Sequence, residues 1–205
     1  MEYESVLEML SDEMCYAKEN FVPIIRDSSS KFLYDFVKGN KVKRVLEIGT
    51  AIGFSGSIIL SAGAERLTTI DINEVSLAVA KKTFEKLGFS NNVEIIHKDA
   101  KLVLDDLVAR QEKYDMIFLD GAKGQYINYL PKLMKLIDKN GIIFADNVLL
   151  QGMVESQEKI PHRKRTMVVN LRRYLDAVSK DPFTTEVLHL EDGIAITRFK
   201  GEKLC

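Results

Sequence analysis

The chain has 205 residues, 46% hydrophobic and 29% charged, which suits one domain with a single core and a site on its rim. A formal net charge of -1 excludes a globally basic nucleic-acid or membrane-surface binder, so an anionic partner must be met by a local patch. The opening MEYESVLEML lacks a basic stretch followed by an apolar one, no apolar run reaches membrane-spanning length, and Cys15 and Cys205 lie far apart without metal or disulfide spacing; the expectation is a cytoplasmic protein with no membrane partner.

Two helical stretches are predicted first, over about residues 2–19 and 27–38, separated at FVPII, where Pro23 interrupts helical continuity. Apolar runs and helical patterns then alternate. RVLEIG (44–49), LTTID (67–71), VEIIHKD (93–99), DMIFLD (115–120) and GIIFAD (141–146) are short and rich in Val, Ile, Leu or Phe, as strands of a parallel sheet are. Between the second and third, Asn73 can cap a helix, Gly88 can end it, and Val75, Leu77, Ala78, Phe84 and Leu87 supply an apolar face. Strand, helix, strand at this spacing implies right-handed βαβ units with helices on both faces of the sheet. The last section differs: PFTTEVLHL and GIAITRF flank the turn signal EDG and should add an antiparallel hairpin at one edge. The expected fold is α/β and Rossmann-like, in one domain spanning 1–205.

The first functional signal is VLEIGTAIGFS, where a buried strand reaches Glu47 and then meets Gly49 and Gly53, which let the backbone turn and approach a ligand. The spacing G-x-x-x-G is not the dinucleotide G-x-G-x-x-G, which disfavours a nicotinamide cofactor. Asp71, ending the next strand, is suited to accept hydrogen bonds from two ribose hydroxyls, and Asp99, ending a third, from an adenine amino group. A parallel sheet also places Asp120 and Asp146 at strand ends, with Asn147 directly following, a set of hard oxygen ligands suited to Mg²⁺ or a similar divalent ion. Taken singly, Asp120 reads equally well as a helix cap and Asp146-Asn147 as a turn.

The ordered set Glu47, Gly49, Gly53, Asp71, Asp99 resembles the class I S-adenosylmethionine-dependent methyltransferases, and across almost the whole chain their cation-dependent O-methyltransferases of the catechol and caffeoyl-CoA type. That resemblance implies a seven-stranded, mostly parallel sheet with the C-terminal hairpin, and an N-terminal helical segment, 1–40, that contributes to the site. It places Glu47, Gly49, Thr50, Gly53 and Ser55 at the methionine portion of the cofactor, Asp71 at the ribose, Asp99 and Ala100 at the adenine, and Asp120, Asp146 and Asn147 on the metal. Asp120 is also implied as a cofactor contact and, with Lys123, as part of the catalytic apparatus. Lys123 would take the acceptor's proton; on composition alone it reads as an exposed lysine at a helix start. Where the family often carries a second acid, two residues after Asp120, this sequence has Ala122. The family's enzymes are often homodimers.

KIPHRKRTMVVNLRRY (159–174) gathers Lys159, Arg163, Lys164, Arg165, Arg172 and Arg173 with no acid among them. Met167, Val168, Leu171 and Tyr174 have helical spacing and should face the core, leaving arginines outward. That pattern fits a solvated helix face or a phosphate-binding strip, with Arg163, Lys164 and Arg165 as its candidates. VPII, DGAKGQY, DNVLLQG, RKRT and DGIAIT are similar to bacterial tRNA 5-hydroxyuridine methyltransferases, which implies the tRNA anticodon as partner and 5-methoxyuridine as product. A small catechol-like or acyl-CoA phenol is the alternative acceptor, and a noncatalytic cofactor- or RNA-binding protein the alternative of another class. His97, His162 and His189 show no ligand spacing and read as peripheral.

Overall fold

The computed structural model describes residues 2–199; Cys205 lies outside them. Seven strands form one mixed sheet: β1 (Arg44–Ile48), β2 (Arg66–Asp71), β3 (Val93–His97), β4 (Tyr114–Leu119), β5 (Ile137–Asp146), β6 (Phe183–Leu188) and β7 (Ile194–Phe199), in the order β3-β2-β1-β4-β5-β7-β6. The expected α/β, Rossmann-like sheet with an antiparallel C-terminal hairpin is therefore present. The chain divides into two units, residues 1–103 and 104–205.

In the first unit β2 pairs in parallel with β1 and β3, with Leu46 opposite Thr68 and Leu67 opposite Val93. The crossovers are α4 (Phe54–Ser61) and α5 (Glu74–Lys86). Helix α4 is buried from Phe54 to Leu60, and its buried serine hydroxyls are satisfied inside the fold, Ser55 by Glu47 and Ser57 by the Gly53 carbonyl at 2.7 Å. Helices α1 (Tyr3–Met9) and α3 (Asp27–Asn40) pack against it. The stretch expected as one helix over 2–19 is broken at Leu10, which leaves helical geometry (φ -95°, ψ 10°) while its side chain is fully buried; α2 (Ser11–Glu19) follows. Lys86 of α5 clamps α2 through Glu13 at 2.9 Å and Asp12 at 3.1 Å.

Helix α5 begins as expected, with Asn73 Oδ1 accepting the Ser76 N–H at 3.1 Å, and Gly88 beyond it is left-handed (φ 77°). Its buried face is Leu77, Ala80, Thr83 and Phe84, whereas Val75 and Ala78, expected on that face, are exposed. The 100° step explains the correction: 77, 80 and 84 share a stripe that turns 75 and 78 outward.

The second unit contains most of α6 (Ala100–Ala109), then β4, α7 (Tyr126–Leu136), β5, α8 (Arg165–Val178) and the hairpin. β4 and β5 pair in parallel up to Leu119 opposite Ala145, with Phe118 and Phe144 rings 5.4 Å apart. β7 runs antiparallel to both β5 and β6. β5 starts at Ile137, four residues before the expected boundary, and the first hairpin strand is shorter than expected, ending at Leu188. Val168, Leu171 and Tyr174 face the core from α8 as expected, while Met167 is only half-buried. Among the described residues no helix is long and apolar enough to cross a membrane.

Candidate active site

Within the first unit the loop after β1 is built from three left-handed residues, Gly49 (φ 108°), Ala51 (φ 44°) and Gly53 (φ 79°). Gly53 has a steric reason as well: a Cβ there would lie 3.1 Å from the Phe84 ring and 3.2 Å from Ala80. Ala51 bears a conformation that costs an L-residue about 1–2 kcal/mol, and its N–H donates to Asp71 Oδ2 at 2.9 Å. The other Asp71 oxygen accepts the Asn73 N–H at 2.9 Å. Asp71 thus fixes the first loop and the start of α5 while remaining only partly buried.

Glu47 lies beneath this loop, fully buried. One carboxylate oxygen accepts the Ser55 hydroxyl at 2.5 Å and the other the Thr69 hydroxyl at 2.5 Å; Thr69 is in turn 2.7 Å from the Thr50 hydroxyl. Glu47, Thr50 and Ser55 are therefore engaged with one another from below, and the surface the loop offers to a ligand belongs to Gly49, Ala51 and the Asp71 carboxylate. Asp99 is exposed, and its Oδ1 accepts the Lys101 N–H at 2.7 Å, so it caps α6 beside Ala100. Sequence reasoning passed over Ile72 and Leu102, which are 68% and 52% exposed next to these acids. Ile72 directly follows Asp71 at the end of β2, and Leu102 lies in the first turn of α6 after Asp99.

Within the second unit Asp120 follows the last residue of β4 and Asp146 is the last of β5. Lys123, on a 3₁₀ turn spanning Lys123–Gln125, places its ammonium 3.4 Å from Asp120 Oδ1, and both side chains are largely buried. Burial raises the Asp120 carboxyl above its usual range, with Lys123 opposing the rise. Burial, then the charge of Asp120, hold Asp146 up to about 7, against the pull of the Asn147 N–H, which donates to Asp146 Oδ1 at 2.8 Å. Asn147 is left-handed (φ 55°), and the chain beyond it is fixed by Val148 and Leu149 N–H groups bonding to Gly193 and Asp192 carbonyls. At Gly193 any Cβ would overlap Leu149. Among the described residues no three His, Cys, Asp or Glu side chains group as metal ligands; His97 Nε2 lies 3.1 Å from the Ile72 carbonyl and His189 Nε2 2.9 Å from Glu155. A cation here would take two carboxylates and an amide from the protein.

Tyr126, absent from the expected set, is fully buried at the start of α7 and donates to the Leu119 carbonyl at 2.9 Å and the Asp146 carbonyl at 3.3 Å. Burial first, then Asp120 and Asp146, push its phenol well above the usual tyrosine range, so it stays a donor. The basic strip divides. Arg163 and Arg165 are exposed at the start of α8, and Lys164 bonds Gln151 at 3.3 Å. Arg172 is exposed, as helical spacing places it, and its guanidinium also clasps the carbonyls of Met153, Val154 and Ser156 at 2.6–3.2 Å, forking across several acceptors of an irregular loop.

The sequence profile of the O-methyltransferase family matches residues 2–200. Caffeoyl-CoA O-methyltransferase 1 of Arabidopsis thaliana is 31% identical over 179 residues, covering 82% of this chain and 68% of that protein. The structure of a candidate caffeoyl-CoA O-methyltransferase from Staphylococcus aureus superposes with a TM-score of 0.83 at 31% identity, covering 94% of this chain and 91% of the other. An O-methyltransferase from Bacillus cereus in complex with SAH shares the fold, with a TM-score of 0.84 at 21% identity and the same coverage, 94% and 91%.

Proposed function

The chain belongs to the O-methyltransferase family, S-adenosylmethionine-dependent enzymes of the caffeoyl-CoA type, and from that premise we propose that it methylates a hydroxyl lying beside a second oxygen, with a divalent cation, on 5-hydroxyuridine at the tRNA wobble position. The observation that carries the cation is the placement of two largely buried carboxylates at neighbouring strand ends, Asp120 directly after β4 and Asp146 at the end of β5, where burial first and then the charge of Asp120 raise the Asp146 carboxyl, a cost that a divalent ion relieves. Asp120, Asp146 and the Asn147 amide form an all-oxygen donor set that fits Mg²⁺ with positions left for water and acceptor.

Gly49 and Ala51, in the loop that Gly53 turns and Glu47, Thr50 and Ser55 hold from below, would receive the methionine portion of S-adenosylmethionine; Asp71 would bond its ribose, and Asp99 and Ala100 its adenine. When bound, the sulfonium supplies an activated methyl group and the divalent ion supplies Lewis acidity toward the acceptor hydroxyl. Lys123 Nζ would accept the hydroxyl proton as the neutral amine, after its ammonium has released a proton to solvent, and Asp120, 3.4 Å away, fixes where that nitrogen stands. The reading takes residues 1–205 as one catalytic domain, with the segment 1–40 in the site, supported by the clamp of α2 onto the helix that follows Asp71. It takes the assembly as a homodimer, and the cytoplasm as the place where tRNA is met.

Exposed Arg163 and Arg165, beside Lys164, support an acceptor carrying phosphates. The second reading, a phenolic acyl-CoA or catechol, is favoured by the names of the relatives and by the same chemistry, since a catechol also offers adjacent oxygens and coenzyme A also carries phosphates. The decisive assay incubates the protein with S-adenosylmethionine, Mg²⁺ and tRNA bearing wobble 5-hydroxyuridine, followed by nucleoside mass spectrometry. 5-Methoxyuridine should appear, and vanish with EDTA. Turnover of caffeoyl-CoA with none of the tRNA would transfer the assignment to the second reading.

A further inference from the structure

The parallel ladder between β4 and β5 stops at Leu119 opposite Ala145, one residue short of both Asp120 and Asp146. Past that point the two strand ends are joined by the Tyr126 hydroxyl, which reaches the carbonyl of the residue before Asp120 and the carbonyl of Asp146 itself. Its ring has no freedom to follow a moving strand. It is fully buried, and the edge of the pair it makes with Tyr174 of α8 sets the rings 5.7 Å apart at 72°. Helix α8 also holds the turn between Asp120 and Tyr126, since Asn170 Nδ2 donates to the Gly124 carbonyl at 2.8 Å.

We propose that Tyr126 is a positioning residue, whose hydroxyl staples the ends of β4 and β5 and so sets the spacing of the two carboxylates that take the divalent cation. The inference rests on the cation reading above. A side chain of this kind acts through its neighbours: it touches neither cation nor acceptor, and it determines how far apart two ligands stand before the ion arrives. Loss of the hydroxyl leaves two buried carbonyls without their shared donor and frees the end of β4 at Asp120 to shift relative to Asp146, which stays paired with Ile194 of β7.

Tyr126→Phe keeps the ring and its packing against Tyr174 and removes only the staple. Calorimetric titration with Mn²⁺ should show affinity reduced by about 10- to 100-fold, the range for residues that orient metal ligands, while S-adenosylmethionine affinity stays within about twofold of wild type on the same principle. Methyl transfer should recover toward the wild-type kcat as Mn²⁺ is raised, so that the defect sits in the apparent metal constant. Wild-type Mn²⁺ affinity in the variant overturns the proposal. Equal loss of both affinities, or failure of the variant to fold, assigns the hydroxyl to general stability and also overturns it. Absence of Mn²⁺ binding in the wild-type protein is a different result, because it removes the cation reading itself.

Discussion

Asp146 ends its strand facing Asp120, whose charge, added to burial, holds the Asp146 carboxyl up to about 7. An unfolded aspartate titrates near 3.9, so the folded chain carries the extra proton between about pH 4 and 7. The contribution of this group to folding is therefore fullest on the acid side and is withdrawn as pH rises through 7. Cation-free protein should lose melting temperature from pH 5 to pH 7, less so in Asp146→Asn, and Mg²⁺ should restore more at pH 8 than at pH 6. Since the ion displaces a proton, its affinity should fall by up to about tenfold per pH unit below 7. Calorimetric Mg²⁺ titrations at pH 5.5, 6.5 and 8 check this; a constant affinity would sink it.

Glu47 accepts two buried hydroxyls, from Ser55 and Thr69, and gives the first loop its floor. Glu47→Gln presents an amide where one hydroxyl donates, so one bond is lost or reversed. A buried charge-assisted bond of this kind is worth about 1.5–3 kcal/mol. Both melting temperature and S-adenosylmethionine affinity should drop; a variant with wild-type affinity would show that the loop keeps its shape without the carboxylate.

Asp71 holds Ala51 and Asn73 N–H groups before any ribose arrives. Asp71→Asn keeps one acceptor oxygen and Asp71→Ala keeps none, so calorimetry should rank affinity wild type, Asn, Ala, with the alanine variant weaker by at least about 1.5 kcal/mol. Equal affinities for all three would remove Asp71 from the cofactor site.

Much of this was legible in the sequence because parallel strands are buried on both faces and stand out as short apolar runs. A carboxylate at the end of such a run, as at Asp71, Asp120 and Asp146, is a local signal that needs no tertiary information. Tyr126 lacked any such signal: a tyrosine opening an amphipathic helix looks like core, and only the fold brings it two carbonyls from different strands. Arg172 lies on the exposed side of α8 that helical spacing gave it, but spacing alone could not show the loop carbonyls its guanidinium meets there. The break at Leu10 carries no proline or glycine, so nothing in the local sequence marks it.

Lys123 is mostly shielded and paired with Asp120. Lys123→Met removes the proposed proton acceptor, and the rate should fall by about 10²- to 10⁴-fold at saturating cofactor, with S-adenosylmethionine affinity retained. Single-turnover methyl transfer measures it. An unchanged rate would give the proton to solvent.

Arg163 and Arg165 are exposed at the start of α8, while Arg172 is committed to loop carbonyls. The double variant Arg163→Ala, Arg165→Ala therefore removes surface charge without disturbing the clasp that Arg172 makes. If the two arginines meet phosphates of tRNA, affinity should fall at low salt, and the slope of log affinity against log salt should flatten by about 0.7–0.9 for each phosphate that is no longer neutralised. S-adenosylmethionine affinity and melting temperature should remain close to wild type, because neither guanidinium is buried in the fold. Replacing Arg172 should do the opposite, lowering the melting temperature through three freed carbonyls. Filter binding of 5-hydroxyuridine tRNA across a salt series separates the cases. A salt slope that stays the same in the double variant would make this strip a solvated helix face, and would leave the acyl-CoA or catechol acceptor as the better reading of the site.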